Sequence, residues 1–238
     1  MRNPTLVGSG LAMVVSTAAL ADITGAYVVS YEATAEDFGG VSTTVFVQDL
    51  YLSSNNDADV ALNVYNMKFD GATNSASSYY QSQTSTGWKL QNAGGFFDYA
   101  ALREIDSFVT IGGVDQDTLR PEQLEGQGGD IGLDPNFGGN NAVAPGELAG
   151  WYNGNPENLA GQVGQVAAAA NDGTFALGVM VGRFATTEFA SLEGATFEVT
   201  WNQGLGTGGV QQTFTITPAP GALALLGLAG IAGRRRRG

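Results

Sequence analysis

The stretch that decides the fold reads Val210-Gln211-Gln212-Thr213-Phe214-Thr215-Ile216-Thr217. Its apolar residues Val210, Phe214 and Ile216 stand an even number of positions apart, and the residues interleaved with them are glutamine or threonine. Side chains of a β-strand alternate between the two faces of a sheet, so this spacing predicts a strand with one buried face. A strand of this kind needs a second layer to cover it, which favours a layered β protein.

Similar runs of alternating, β-branched or aromatic residues recur along the chain. They predict further strands at 23–32, 41–52, 59–67, 105–111, 174–185 and 195–202, and two weaker strands within 77–91. Segment 174–185 is apolar or small on both faces, which favours a central, covered position. Segments 41–52 and 59–67 are separated only by Ser53-Ser54-Asn55-Asn56-Asp57-Ala58, which predicts a hairpin.

The number of short strands and the scarcity of helical periodicity predict an all-β fold. We expect an antiparallel β-sandwich, jelly-roll-like in layout, with long loops rich in glycine and proline. The one helical candidate, 158–170, is weakened by its glycines. The stretch 112–164 lacks strong periodicity and holds four of the seven prolines, and a long connection of this kind is often functional.

Residues 1–21 have the three parts of a cleavable secretion signal, and we expect this signal to form a helix. Arg2 supplies the positive charge, an apolar run follows over 6–15, and small residues end in Ala19-Leu20-Ala21. The apolar run is shorter than the roughly 20 residues that a membrane-spanning helix needs. We therefore expect cleavage after Ala21, with Ala19 and Ala21 fitting the peptidase, and a mature β-sandwich domain at 22–217.

Residues 218–238 also have three parts. Pro218, Ala219 and Pro220 come first, a short apolar helix is expected over 221–233, and Arg234, Arg235, Arg236 and Arg237 follow. The side chains that would enter the membrane are Leu223, Leu225, Leu226, Leu228 and Ile231. The arginines favour the cytoplasmic side. As a helix, the apolar span would be about 20 Å long, short for a hydrocarbon core of about 30 Å, which suits a segment that is held briefly and then removed.

This tail resembles the PEP-CTERM sorting signal, which exosortase-type transpeptidases process in Gram-negative bacteria that make exopolysaccharide. The family pattern is Pro-Glu-Pro, an apolar span and an arginine-rich end, and here Ala219 replaces the glutamate. The Pro-Ala-Pro form is similar to tails of planctomycete-type relatives. The resemblance covers the tail alone and implies a destination, with signal peptidase and an exosortase-like enzyme as partners. Membrane contact through the tail would be transient or, for a plain tail anchor, lasting.

Charge and residue types exclude several classes of function. The segment 22–217 holds all 23 acidic residues against five of the ten basic ones, a net charge of −18. A surface this acidic repels phosphate backbones, so nucleic acid is not an expected partner. The chain contains no cysteine and no histidine, which rules out disulfides, thiolate metal sites and Ser-His-Asp catalysis.

Acidic pairs in turns are candidates for binding calcium, the one cofactor that the sequence suggests. The candidates are Asp130 with Asp134 and Asn136, Asp57 with Asp59, and Asp115 with Asp117. Calcium takes about six to eight oxygen ligands, which such residues supply. None of the groups has the spacing of an EF-hand loop, and turn formation by Asp and Asn explains them as well. The expectation is therefore a protein without a cofactor, with calcium as the alternative.

Aromatic residues beside amides and carboxylates are candidates for sugar binding. Trp151, Tyr152 and Asn153 form the group that we favour, and Tyr79, Tyr80, Trp88 and Phe96-Phe97-Asp98-Tyr99 form others. A flat ring can stack on the C–H face of a sugar while polar groups bind its hydroxyls. The same rings could instead hold long loops to the core, since each buries about 150–250 Å².

Catalytic arrangements are sparse. Glu104 and Asp106 stand two positions apart, which would let both carboxylates face one side of a strand, and a glycosidase needs two carboxylates flanking a cleft. With 23 acidic residues such a pair is expected by chance. Lys68 and Lys89 are the only lysines, and neither stands in a Ser–Lys nucleophile motif. We expect no catalytic residues and no enzyme activity.

The sequence therefore predicts an exported protein at the cell surface or in the extracellular matrix of a Gram-negative-type bacterium, with a structural or adhesive, non-catalytic role. The alternative is a carbohydrate-binding module that contacts exopolysaccharide through loop aromatics. A glycan-cleaving enzyme is the third hypothesis, which a cleft holding two carboxylates, one with a strongly raised pKa, would favour.

Overall fold

The computed structural model of the protein describes residues 22–72, 75–83, 85, 87–89, 100–112, 131–155, 157 and 159–217. The signal predicted at 1–21 and the tail predicted at 218–238, with their expected helices, lie outside these ranges. Asp115, Asp117, Asp130 and the aromatic group at 96–99 also lie outside them. No helix within the described ranges is long and apolar enough to cross a membrane.

Ten strands, one α-helix and one 3-10 turn make up the described elements. The strands are β1 Ile23–Glu36, β2 Ser42–Ser54, β3 Val60–Lys68, β4 Phe108–Val109, β5 Ile131–Leu133, β6 Ala149–Asn153, β7 Gly164–Ala167, β8 Phe175–Thr186, β9 Thr196–Asn202 and β10 Val210–Thr217. Helix α1 is Ala100–Glu104, and the 3-10 turn is Pro135–Phe137. The expectation of a predominantly β fold is confirmed, because the α-helix has only five residues.

Hydrogen bonds join nine strands in the order β4-β8-β2-β1-β10-β9-β3-β6-β5, and β7 pairs with β8 off this path. The resulting sheet is nearly barrel-shaped. Every pair is antiparallel except β1 and β10, which run parallel with Ala26 opposite Ile216 and Tyr27 opposite Thr217. The expectation of purely antiparallel pairing is therefore wrong at this junction, where the first and last strands meet.

The hairpin expected between segments 41–52 and 59–67 does not form. β2 is hydrogen-bonded on one edge to β1 and on the other to β8, while β3 lies between β9 and β6. A strand has only two edges, so β2 has none left for β3. The connection between them instead leads from one part of the sheet to another, and Ser54 Oγ donates across it to Asp59 Oδ2 at 2.7 Å.

One main core fills the space that the curved sheet encloses. It combines aliphatic side chains from β1, β2, β3, β8 and β9 with all three tryptophans, among them Val28, Leu50, Val64, Val179, Val199, Trp88, Trp151 and Trp201. The register of β8 with β2 skips one residue, Val181, which is a β-bulge. Because of this bulge, Phe184 lies in the main core with Val179. Strict alternation along the strand would put these two side chains on opposite faces of the sheet. The prediction that β8 is covered on both faces is confirmed, since it is buried from 178 to 186.

The described residues of segment 77–91 do not form the two weaker strands predicted there, and segment 105–111 keeps only β4. Where it is described, 77–91 is loop, apart from a single bridge from Lys89 to Val109. The stretch 112–164 is not one long loop, because it contributes β5, β6 and the first residue of β7. Strands of three to five residues carry too little periodicity to be recognised in the sequence.

Hydrogen bonds of Trp88 fix the position of the loop that contains it. Its indole Nε1 donates to Ala142 O at 2.7 Å, its backbone N–H donates to Asn140 O, and its carbonyl accepts from Val109 N. The loop is thereby fixed between β4 and the connection that follows the 3-10 turn. Its first part, 75–79, contributes to the lining of two surface cavities.

Candidate binding face around segment 75–79

Trp151, the residue predicted to stack on a sugar, belongs to the core. Its side chain is 1 % exposed, and its Nε1 donates to Thr110 O at 3.1 Å. No ring face is left for a ligand, so the expectation for Trp151 is wrong. Tyr152 points the other way and is 46 % exposed, because successive residues of β6 face opposite sides. Asn153 is buried like Trp151, and its Oδ1 accepts from Asn155 N at 2.9 Å.

The described members of the main calcium candidate serve the local backbone. Asp134 Oδ1 accepts from Phe137 N at 2.9 Å, which caps the 3-10 turn. Asn136 Nδ2 donates to Leu148 O at 3.5 Å, and the third member, Asp130, lies outside the described ranges. Within those ranges, no three His, Cys, Asp or Glu residues are grouped so that they could hold a metal ion.

Two further carboxylate pairs lie within the described ranges, Asp57 with Asp59 and Glu104 with Asp106. Asp57 is exposed whereas Asp59 is buried. Glu104 ends helix α1, so the strand alternation that would align it with Asp106 is absent. Burial raises the pKa of Asp106 to about 7, although Ser82 N–H donates to its Oδ1 at 2.8 Å. Asp106 lines neither of the two cavities described below.

A polar groove opens between segment 75–78 and the residues that end and follow β8. Its volume is about 390 Å³. Its lining consists of Ser75, Ala76, Ser77, Ser78, Thr186, Thr187, Glu188, Phe189 and Ala190. We call it the hydroxyl groove, because five of these nine residues carry a hydroxyl group.

Thr186 and Phe189 are the two unusual residues in the lining of the hydroxyl groove. Thr186 is 3 % exposed, and its Oγ1 has no hydrogen-bond partner in the described part of the chain. A buried hydroxyl without a partner costs about 1–3 kcal/mol. Phe189 is 61 % exposed, which places apolar ring surface in a polar lining. The hydroxyl-bearing lining beside the exposed Phe189 ring is complementary to a ligand that has both hydroxyl groups and C–H faces.

The loop that carries Phe189 is held in place by Gln48. This residue is buried in β2, its Nε2 donates to Ala190 O, and its Oε1 accepts from Leu192 N at 2.9 Å. The Phe189 ring also meets the Phe46 ring edge-on, with the centroids 5.9 Å apart. A buried amide that uses both its donor and its acceptor fixes the loop against the sheet, so the hydroxyl groove is preformed.

A second, smaller cavity shares Ala76 with the hydroxyl groove. Its volume is about 220 Å³. Its lining consists of Phe69, Asp70, Ala76, Tyr79, Ala144, Pro145 and Glu147. We call it the acidic pocket, because both of its charged lining residues are carboxylates. Tyr79 is 8 % exposed, and its hydroxyl has no hydrogen-bond partner among the residues that the structure describes.

The sequence predictions missed the hydroxyl groove, and of the acidic pocket they included only Tyr79. Phe189 follows Thr186-Thr187-Glu188, directly after the apolar strand β8, and one aromatic residue in a polar segment was the available signal. The acidic pocket gathers residues from 69–70, 76–79 and 144–147, which share no motif. Only the folded chain brings these three segments together.

Comparisons with protein-family models, with curated proteins and with solved structures give no match for this chain. The candidate site is therefore defined by its own geometry. The hydroxyl groove and the acidic pocket adjoin at Ala76, and segment 75–79 contributes to the lining of both.

Proposed function

We propose that the protein is exported to the cell surface or extracellular matrix and acts there as a structural, adhesive protein that binds polysaccharide without cleaving it. The observation that carries the proposal is the hydroxyl groove, which combines the exposed Phe189 with a lining in which five of nine residues carry a hydroxyl group. The signal-like residues 1–21 and the sorting-like residues 218–238 support the export. No cofactor is part of the proposal.

The lining matches both kinds of surface that a sugar presents. Serine and threonine hydroxyls donate and accept hydrogen bonds, as sugar hydroxyls do. Glu188 adds a carboxylate, which accepts from a hydroxyl more strongly than a neutral oxygen does. The Phe189 ring offers a flat apolar surface for the C–H face.

Charge selects among polysaccharides. The net charge of −18 over 22–217, and Glu188 in the groove itself, would repel uronic-acid or sulfated chains. Neutral polymers are therefore the proposed ligands. Glycosidases need a pair of carboxylates, and Glu188 is the only carboxylate in the described lining of the groove. This supports binding without hydrolysis.

Affinity electrophoresis of the full chain in gels that contain neutral polysaccharides tests the proposal. Phe189→Ala should abolish the retardation. Phe175→Ala is the matched control, because Phe175 is an aromatic residue of similar exposure, 53 %, at the other end of β8. Tyr152→Ala tests the remaining exposed aromatic of the group predicted from sequence. Retardation that survives Phe189→Ala, or its absence with every neutral polymer, would refute the groove assignment.

Export and sorting are tested by the intact mass of the protein recovered from its host, with cell and matrix fractions kept apart. A mass that starts at Asp22 and ends near 218–220 would support export followed by removal of the tail. A mass that retains 234–237 would instead mean that the tail is a lasting anchor, and that the domain acts while tethered to the membrane.

The strand layout that we propose with this function is a jelly-roll-like sandwich. One layer would contain β4, β8, β2 and β1, and the other would contain β10, β9, β3, β6 and β5. The parallel β1–β10 pair would join the layers at one side. An experimental structure that separates a two-layer sandwich from a closed barrel tests this layout.

A further inference from the structure

Strand β1 keeps an open edge beyond the point where β10 ends. In the described residues β10 pairs with β1 at two positions, Ala26 with Ile216 and Tyr27 with Thr217. β1 then runs on to Glu36, and over this length β2 covers one of its edges while no described strand pairs with the other. An open edge presents backbone donors and acceptors to any strand that can reach them.

The direction of the peptide groups shows which atoms lie on this edge. Ile216 N–H donates to Ala195 O at 2.8 Å, and Ile216 O accepts from Gly194 N–H at 2.9 Å, so both groups point away from β1. Peptide groups alternate in direction along a strand, so those of Thr217 point toward β1. In the parallel register, the Thr217 carbonyl therefore accepts from Val28 N–H.

The next two groups on this edge are the carbonyl of Val28 and the N–H of Ser30. Neither is hydrogen-bonded to a described residue. Val28 is only 2 % exposed, and a buried carbonyl without a partner is costly. The group after them, Ser30 O, accepts from Asn171 Nδ2 at 3.4 Å. Between Thr217 and Asn171 the edge therefore leaves one acceptor and one donor open.

The three residues that follow β10 have the composition that this gap requires. Pro218 and Pro220 stand at positions whose peptide N–H would point away from β1, as that of Ile216 does, so their missing donors are not needed. Ala219 stands between them, at the position that points toward β1, and it keeps its N–H. Thr217 and Ala219 each precede a proline, which favours extended backbone at both.

We propose that residues 218–220 continue β10 as a parallel strand along the open edge of β1. Ala219 N–H donates to Val28 O, and Ser30 N–H donates to Ala219 O. The contact of Asn171 with Ser30 O marks the end of this pairing, because it takes the acceptor that the following residue would need. The occupant of the edge is thus the beginning of the chain's own tail.

The chain's own segment suits this edge better than a strand from a second copy. It is joined covalently to Thr217, so it reaches the edge as an intramolecular partner at high effective concentration. It is uncharged, whereas segment 22–217 carries a net charge of −18 and two copies repel each other. Glu32 and Glu36, exposed further along the same strand, add to that repulsion.

The consequence for sorting rests on the proposed function. Residues 218–220 are also the motif that a sorting enzyme would recognise, and the pairing holds them against the domain. Such an enzyme would have to detach Ala219 from β1 before it could act, so processing would depend on opening of this edge. The pairing itself does not require that the tail is ever processed.

Cysteine pairs in the full chain test the pairing, because the protein has no cysteine of its own. Continued register places Pro220 opposite Ser30, and neighbouring strands lie about 4.8 Å apart, within the Cα range of a disulfide. Ser30→Cys combined with Pro220→Cys should therefore form a disulfide within the chain on mild oxidation. Glu36→Cys combined with Pro220→Cys is the matched control, since Glu36 is exposed on the same strand roughly 20 Å further along.

The pair at 30 and 220 should oxidise at least about tenfold faster than the control pair, because pairing raises the effective concentration of one thiol at the other. Equal rates would mean that the tail is not held at this edge, and would overturn the proposal. A disulfide between chains, visible as a dimer in a non-reducing gel, would assign the edge to a second copy and would overturn it too. Both pairs are measured on uncut protein, so a host that never processes the tail leaves the outcome unchanged.

Hydrogen exchange at Ser30 tests the hydrogen bonds without cysteines. After correction for sequence effects, the Ser30 amide should exchange more slowly than that of Glu32, the next amide on this edge. Ala219→Pro removes the donor to Val28 O and should speed exchange at Ser30 by about two- to tenfold. Pro218→Ala adds an N–H that points away from β1 and should change nothing. Equal exchange at Ser30 and Glu32, or no effect of Ala219→Pro, would overturn the proposal.

Discussion

Arg183 and Asp49, 134 positions apart in the sequence, form a buried ion pair in which Nε donates to Oδ1 at 2.6 Å and Nη2 donates to Oδ2 at 2.8 Å. Their side chains are 2 % and 3 % exposed. Tyr31 donates its hydroxyl to the same Oδ2 at 3.0 Å, and the guanidinium lies over the ring of Phe108. Burial alone would lower the pKa of Arg183, but the charge of Asp49 more than offsets this, so the guanidinium stays charged.

Removing one member of this pair should be costly. Asp49→Asn leaves the buried charge of Arg183 without its counter-ion, and we expect the free energy of unfolding to fall by about 3–5 kcal/mol. Urea unfolding followed by circular dichroism measures the change. Asp49→Leu combined with Arg183→Met removes both charges and should recover most of the loss. A single variant as stable as the parent would show that the pair is not desolvated in solution.

The buried carboxyl of Asp106 should make stability depend on pH. Its pKa rises from the ordinary 3.8 to about 7 in the folded state, so between these values the folded protein binds more protons than the unfolded one. Its contribution is complete below pH 3.8 and is lost as the pH rises through about 7. At about 1.4 kcal/mol per pKa unit, this shift corresponds to at most about 4–5 kcal/mol.

Asp106→Asn removes this titration and keeps an acceptor oxygen for Ser82 N–H. The stability of the variant relative to the parent should therefore increase from about pH 5 to about pH 8. Urea midpoints measured at both pH values give the difference. A gap between parent and variant that stays constant over this range would contradict the raised pKa.

The unpartnered hydroxyl of Thr186 predicts an unusual mutational result. Thr186→Val replaces a buried, unsatisfied hydroxyl by a methyl group of similar size, so the free energy of unfolding should stay the same or rise by up to about 1–3 kcal/mol. Ser107→Ala is the matched control. Ser107 Oγ donates to Ala185 O at 3.1 Å and accepts from Ala185 N at 2.9 Å, and its removal should destabilise the protein. Thermal unfolding measures the stability of both variants. A destabilised Thr186→Val variant would show that the Thr186 hydroxyl has a hydrogen-bond partner.

Trp151 and Tyr152 should respond oppositely to truncation. Trp151→Ala opens a cavity in the main core and should lower the free energy of unfolding by about 3–5 kcal/mol, whereas Tyr152→Ala removes a half-exposed ring and should cost much less. Calorimetry measures both. Any loss of polysaccharide binding in Trp151→Ala should coincide with loss of near-ultraviolet circular dichroism. Lost binding in a fully folded Trp151→Ala variant would return Trp151 to the candidate site.

The sequence by itself determined the principal strands and the chemistry that the chain lacks. Alternation located β1, β2, β3, β8, β9 and β10 to within a few residues, because a period of two is a local property of the chain. The absence of cysteine and histidine from the sequence likewise excluded disulfides, thiolate metal sites and Ser-His-Asp catalysis. The short strand β5 escaped, since three residues contain no measurable period. β4 covers only two residues of the strand that was predicted at 105–111.

The tertiary structure decided which strand edges pair and which faces are covered. Segment 53–58 has the composition of a hairpin turn, yet β2 pairs with β8, and that register sets Asp49 opposite Arg183. Trp151 and Tyr152 are adjacent aromatic residues, but the Trp151 ring is buried in the core and the Tyr152 ring is exposed to solvent. Alternation defines two faces and does not say which of them another segment will cover. That choice depends on hydrogen bonds and burial between distant segments, which exist only once the sheet has assembled.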